Sequence, residues 1–199
     1  NTKEDKKCNE IRVNINKGRN EITVWNNGKG IDVVEHKEHK MLVPTLIFGE
    51  LLTSTNYDDT EKRITGGRNG YGAKLTNIYS SLFDIEIVDK KRKLKFNQTF
   101  TNNMSDKSEP VVTKETNLKS GYTQIKFQPD LKRFGISELS DDIINLMRKR
   151  VYDIAATTPN KVKIYYNDEL ININNFKEYI KLYFDDDSLI YEKVNDRWN

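Results

Sequence analysis

The stretch ITGGRNGYGAKLTNIYS, residues 64–80, concentrates Gly66, Gly67, Gly70 and Gly72 within seven residues and follows them with Ala73 and Lys74. Glycines let successive backbone N–H groups turn toward one anion without a Cβ in the way, and a helix that follows adds its positive end. Lys74 could add a full charge to a terminal phosphate. The stretch nevertheless matches neither familiar phosphate template. Gly67 and Gly72 have Walker A spacing, but Ala73 stands where the lysine is required. Gly70-Tyr71-Gly72 lacks the third glycine of a dinucleotide-binding turn. A surface loop with a stray lysine has the same composition, so the stretch alone decides nothing.

A second stretch, WNNGKGI at residues 25–31, sets Asn26 and Asn27 before Gly28 and Gly30. A side-chain amide at a strand end can both donate to and accept from a purine edge, and glycines let a flat base approach the backbone. Asn-Gly is also the commonest turn signal. Three other features read as structural. The basic run KKRKLK, residues 90–95, follows Asp84, Glu86 and Asp89, as in a hairpin with oppositely charged solvent faces. His36 and His39 have no HExxH spacing and no visible third ligand, and read as solvated. Trp25 and Trp198 read as packing residues. No Ser/His/Asp or Cys/His nucleophile arrangement is recognisable.

The elements that must position these residues follow from periodicity. EIRVNIN and NEITVWN alternate around KGR and predict a hairpin over residues 10–26, with Ile11, Val13, Ile15, Ile22 and Val24 inward. VPTLIFGELLTS predicts a buried helix using Leu46, Ile47, Leu51 and Leu52. The Gly-rich stretch then forms a long loop, and AKLTNIYSSLF a helix leaving it. FDIEIVD, KLKFNQTF and YTQIKFQP read as strands, the last two joined by a weakly ordered segment over residues 102–121. Ser140 caps the clearest helix, with Asp141 and Asp142 in its first turn and Ile143, Met147, Val151 and Ile154 on one face. KVKIYYNDEL predicts a strand and NNFKEYIKLYF an amphipathic helix. The expected class is α+β, with a sheet built mainly from hairpins.

Composition sets the outer limits. The chain has 199 residues, enough for one substantial domain with the opening of another. Its 33 basic and 30 acidic residues leave a net charge of +3, so no global field draws it to nucleic acid and any DNA contact must be local. Cys8 is the one cysteine, which excludes an internal disulfide and suits a reducing compartment. No apolar run reaches the length of a membrane span, and no signal-peptide core is visible at the N-terminus. The first residue is Asn rather than Met, the mark of a fragment or processed chain.

The order and separation of the motifs are more specific than either motif alone. WNNGKGI, a buried helix, LLTSTNYDD and GGRNGYGAKL closely resemble the ATPase domain of eukaryotic type IIA DNA topoisomerases. These belong to the GHKL family with gyrase, Hsp90, MutL and histidine kinases. The resemblance runs from about residue 10 to the end and includes VVEHK, FQPDL, the YDIA helix and VNDRW. Asn26 stands where gyrase and MutL usually carry Asp.

The resemblance implies a two-layer GHKL (Bergerat) sandwich, a mixed, mostly antiparallel sheet with helices on one face. It assigns residues 1–175 to the ATP-binding domain and 176–199 to the start of a transducer domain. Asn26 would contact adenine or its bound water, with Gly28 and Gly30 shaping that wall. Ser54, Thr55 and Asn56 would lie along ribose and phosphates. Gly67, Arg68, Asn69, Gly70, Tyr71, Gly72, Ala73 and Lys74 would wrap the triphosphate as a lid. ATP and Mg²⁺ are the implied cofactors, double-stranded DNA and a second copy the implied partners of the whole enzyme, with no membrane, and the nucleus the implied location. ATP capture would close a dimeric gate around DNA so that one duplex passes through another. The family's general-base glutamate and its Mg²⁺-binding asparagine belong to a helix, the N-box, that would precede Asn1. No catalytic base or metal ligand is therefore assigned within this chain, and the fragment is expected to bind better than it hydrolyses. A chaperone- or mismatch-repair-type GHKL ATPase, and a nucleotide-binding module without turnover, are the alternatives.

Overall fold

The computed structural model describes residues 7–50, 70–116, 119–185, 190–192 and 194. Strands β1 (Glu10–Asn16) and β2 (Glu21–Gly28) form the expected hairpin about a 3-10 turn, Lys17–Arg19. Asn16 accepts from the Arg19 N–H at 3.0 Å, and Asn20 closes the turn in the left-handed region. Helix α1 (Val43–Gly49) carries Pro in its first turn and gives way at Glu50 to extended backbone. Helix α2 (Tyr71–Ile78) leads directly into β3 (Ser80–Asp89), so the helix expected to run on to Phe83 stops five residues earlier.

Strand β4 (Leu94–Thr101) returns beside β3. The segment expected to be weakly ordered contributes β5 (Asp106–Lys107) and β6 (Val111–Lys114), both paired with β4. Strand β7 (Gly121–Pro129) enters the centre of the sheet, and a 3-10 turn at Leu131–Phe134 precedes α3 (Asp141–Thr157). Ser140 caps α3 by accepting from the Ile143 N–H at 3.3 Å. Strands β8 (Lys163–Tyr166) and β9 (Glu169–Leu170) and helix α4 (Phe176–Ile180) follow. The strand order is β5-β4-β3-β7-β2-β1-β8-β9, and among the described residues β1–β8 is the one parallel pair. The architecture is the expected α+β one, with a mixed and mostly antiparallel sheet.

Registry explains where the helices go. The pairs Val13–Val24, Ile22–Phe127, Phe83–Phe127, Ile85–Ile125 and Ile87–Phe96 put one parity of every central strand on the same face. That face carries the apolar residues; the other carries Arg12, Thr23, Gln124, Lys126, Glu86 and Asn97. The helices pack on the apolar face alone. One cluster seats Val151, Ala155 and Ala156 of α3 against Val13, Ile15, Ile22 and Ile164. The other seats Phe48 of α1 against Phe83, Phe96 and Phe100, and Phe127 touches both clusters.

Two helix faces differ from expectation. In α1, Ile47 is exposed while Thr45, Phe48 and Gly49 turn inward. Thr45 Oγ1 donates to Gln98 Oε1 at 2.8 Å, and a Cβ on Gly49 would come within 2.9 Å of the Phe100 ring, so contact with β4 sets the rotation. In α3, Ile154 is exposed and the small Ala155 and Ala156 face the sheet, allowing close approach.

Asp89 sits at the far end of the same apolar parity, almost fully buried. Its carboxylate accepts from the Val33 N–H at 3.0 Å, the Arg92 N–H at 3.1 Å and Arg92 Nη1 at 2.7 Å, and Arg92 also bridges to Asp32 at 3.1 Å. The loop after β2 is thereby tied to the β3–β4 turn. Burial alone would raise the Asp89 pKa, but these donors outweigh it and hold the carboxyl below its ordinary range. Asp89→Asn is expected to cost about 1–3 kcal/mol near neutral pH, because the buried Val33 N–H and the partly exposed Arg92 guanidinium lose their anion. A carboxylate with a depressed folded pKa contributes above its unfolded pKa and loses that contribution as pH falls through the folded value. Urea denaturation of both proteins across acidic pH should therefore show the difference shrinking on acidification; a gap independent of pH would contradict the charged role.

Candidate functional site

The two asparagines at the end of β2 do different things. Asn27 points to the outer face, where its Oδ1 accepts from the N–H groups of Asn9 and Glu10 at 3.0 and 2.9 Å, holding the start of β1. Asn26 lies on the apolar face, in register with Ile11 and Thr123, and its amide donates to its neighbour's carbonyl at 3.1 Å. Beyond it the backbones close up. Gly28 pairs with Gly121, and a Cβ on Gly121 would sit 2.8 Å from the Gly28 carbonyl oxygen and 2.9 Å from that of Val88. Gly30, at φ +73°, would put a Cβ 2.9 Å from the same Val88 oxygen. The glycines therefore serve a crossing of three backbone segments next to Asn26, which the Asp89 clamp secures from the other side.

The middle of the apolar face is less covered than its flanks. Val24 has buried neighbours of the same parity, Val13 and Ile22, yet is 37% exposed. It lines a hollow of about 590 Å³ with Ile11, Asn26, Met147, Arg150 and Ile154. This is an apolar strip with one amide at its end, suited in shape and polarity to a flat heteroaromatic group. A second hollow of about 720 Å³, lined by Leu75, Tyr79, Phe134 and Leu139, adjoins it through the shared Phe127 and Met147.

Leu75 belongs to the second turn of α2, whose first turn carries the rest of the described glycine stretch. Gly70 caps this helix in the left-handed region and offers no side-chain acceptor, so among the described residues no N-cap side chain covers the first N–H groups. Tyr71, Gly72 and Ala73 are exposed, and a Cβ on Gly72 would meet nothing within 4 Å. Lys74 is buried, in contrast to the surface charge its sequence context suggests. Burial lowers its pKa, and the negative charge of Glu50 pulls in the opposite direction. Asn77, fully buried, donates to the Phe48 carbonyl at 3.1 Å and locks α2 to the end of α1. Asn26 lines one hollow and the carboxy-terminal half of α2, through Leu75 and Thr76, lines the adjoining one. Ser54, Thr55, Asn56, Gly67, Arg68, Asn69 and Trp198 lie outside the described residues.

The remaining sequence signals resolve into packing. Lys95 pairs with Glu86 at 2.9 Å and Lys90 donates to the Lys119 carbonyl at 2.7 Å, as a charged hairpin requires. Trp25 lies on the outer face, 5.9 Å from the Tyr122 ring and 6.0 Å from the Arg12 guanidinium. Sequence reasoning missed Asp89 and Gly121. Parity contains the first, since Asp89 shares it with Phe83, Ile85 and Ile87 rather than with Asp84 and Glu86. A glycine opening an alternating strand was the signal for the second. Among the described residues no helix is long and apolar enough to cross a membrane.

Known proteins share both the sequence and this arrangement. A family model described as histidine kinase-, DNA gyrase B- and HSP90-like ATPase matches residues 1–132. DNA topoisomerase 2 of Acanthamoeba polyphaga mimivirus is 52% identical over 96% of this chain and 15% of its own length. The probable DNA topoisomerase 2 of Dictyostelium discoideum is 51% identical over 94% of this chain and 12% of its own. The chain thus spans about one seventh of such relatives or less. The crystal structure of the ATPase region of Saccharomyces cerevisiae topoisomerase II superposes with a TM-score of 0.92 at 43% identity, over 98% of this chain and 52% of that one. The 43K ATPase domain of Thermus thermophilus gyrase B, at a TM-score of 0.67 and 20% identity over 94% of this chain and 46% of that one, shares the fold. One-faced sheet, glycine crossing and matched residues agree: the chain belongs to the histidine kinase-, DNA gyrase B- and HSP90-like ATPase family.

Proposed function

We propose that this chain is the ATP-binding part of a type II DNA topoisomerase, in which nucleotide capture and hydrolysis drive the passage of one DNA duplex through another. The observation that carries the reading is the half-open apolar strip at Val24, with the Asn26 amide at its end and α2 lining the adjoining hollow through Leu75 and Thr76. The base would lie on the strip with its polar edge at Asn26, against the wall formed by Gly28 and Gly30. The triphosphate would run toward Gly70, Tyr71, Gly72 and Ala73, whose backbone N–H groups carry the positive end of the helix. Ser54, Thr55, Asn56, Gly67, Arg68 and Asn69 complete the proposed set.

Lys74 supports the phosphate end on physical grounds. It lies two residues past the last glycine of the stretch, in the first turn of α2, where its charge would meet the terminal phosphates at the positive end of the helix. Mg²⁺ would arrive on the nucleotide phosphates, since among the described residues no carboxylate lines the hollow beside Asn26. It would neutralise charge at the transferred phosphoryl group, while this chain's residues bind and orient the nucleotide. The similarity of the relatives named DNA topoisomerase 2 supports the wider reading: a nuclear, homodimeric enzyme acting on double-stranded DNA, with a transducer domain beginning near Phe176. A net charge of +3 fits a nucleotide-operated gate whose DNA contacts lie elsewhere.

Calorimetric titration with ATP and with adenosine tests the assignment. Lys74→Ala should weaken ATP by about 10- to 100-fold, the worth of one charged hydrogen bond, and leave adenosine nearly unchanged. Asn26→Ala should weaken both ligands to a similar degree. Equal losses for the two ligands in Lys74→Ala would remove the phosphate role, and failure of the unaltered chain to bind ATP would remove the reading itself.

A further inference from the structure

The loop between β2 and α1 holds both histidines of the chain and a third group that its sequence spacing does not reveal. One ligand atom from each of His36, Glu38 and His39 lies within 4.8 Å of the other two, and the two imidazole centroids are 5.0 Å apart. The loop is closed rather than open-ended. Glu35 bridges to Leu42, the His36 N–H donates to the Met41 carbonyl at 2.8 Å, and Lys40 returns a bond to the His36 carbonyl at 3.0 Å. Val43 donates to Val34 at 2.8 Å one step further out. Five residues, with Lys40 at φ 52°, are thus folded so that three potential ligand atoms lie close together.

We propose that His36, Glu38 and His39 form a binding site for a borderline divalent transition ion such as Zn²⁺, separate from the nucleotide. Two imidazoles and one carboxylate are a zinc-type donor set, and three protein ligands leave the fourth tetrahedral position to water. The nitrogen donors select against Mg²⁺ and Ca²⁺, which need an oxygen cage. The empty loop gives up little on binding. His36 Nδ1 accepts from the N–H groups of Glu38 and His39 at 3.4 Å each, long contacts that coordination through either ring nitrogen would exchange for one metal bond. Closure of the loop by backbone bonds means that the metal orders only three side-chain ends.

The site does not depend on ATP binding, and its test is direct. Zn²⁺ titrated into the whole chain against a chromophoric chelator should bind at one equivalent. His39→Ala should weaken it by at least about tenfold, and Glu38→Gln should weaken it measurably, with melting temperatures of the metal-free proteins unchanged. Because the chain has only these two imidazoles, nitrogen-detected spectra should show both rings shifting on Zn²⁺ addition and neither on Mg²⁺ addition. Absence of a stoichiometric Zn²⁺ site, unshifted rings, or equal affinity in His39→Ala would overturn the proposal.

Discussion

A sheet of this kind has one face to bury. Along β1, β2, β7, β3 and β4 the apolar residues share one parity, and a shift of one residue in any pair would send a whole row to solvent. Both main helix contacts must therefore fall on the same side. The two clusters divide that side between α3 and α1, with Phe127 as the point common to both. Between them a strip of sheet, with Val24 at its middle, stays partly open. The hollow is a consequence of how two helix packings share one apolar surface.

The glycine-rich crossing depends on the same geometry. Gly28, Gly30 and Gly121 allow three segments to meet around the Val88 carbonyl, and the buried Asp89, with the partly exposed Arg92 and Asp32, keeps them together. An isolated buried carboxylate would be costly, and here two backbone donors and a guanidinium satisfy it. Asn26 gains its position from this arrangement. It stands one residue from an asparagine of opposite parity whose side chain is consumed in bracing β1. Identical chemistry is thus split between scaffold and proposed site by the pleat alone.

Much of the fold was legible. Alternation located the β1–β2 hairpin, and Ser140 with two following aspartates marked the start of α3, because these signals are local and strong. Less was legible where partners distant in sequence decide. Ile47 looked inward on helical spacing, but the Thr45–Gln98 bond and the fit of Gly49 under Phe100 rotate α1 away from it. The segment over residues 102–121 reads as polar linker, yet β4 recruits two short strands from it, since an edge with open backbone groups will pair with what lies near.

From residue order alone came the motif spacing, the mixed α+β class, the family and the choice of Asn26, because those rest on local periodicity and on residue types at set separations. Tertiary structure decided the rest. It buried Lys74, placed Asp89 in the core and left a strip of the sheet open. Burial and convergence depend on which segments meet across the sheet, and that information is spread over the whole chain rather than held in any one stretch of it.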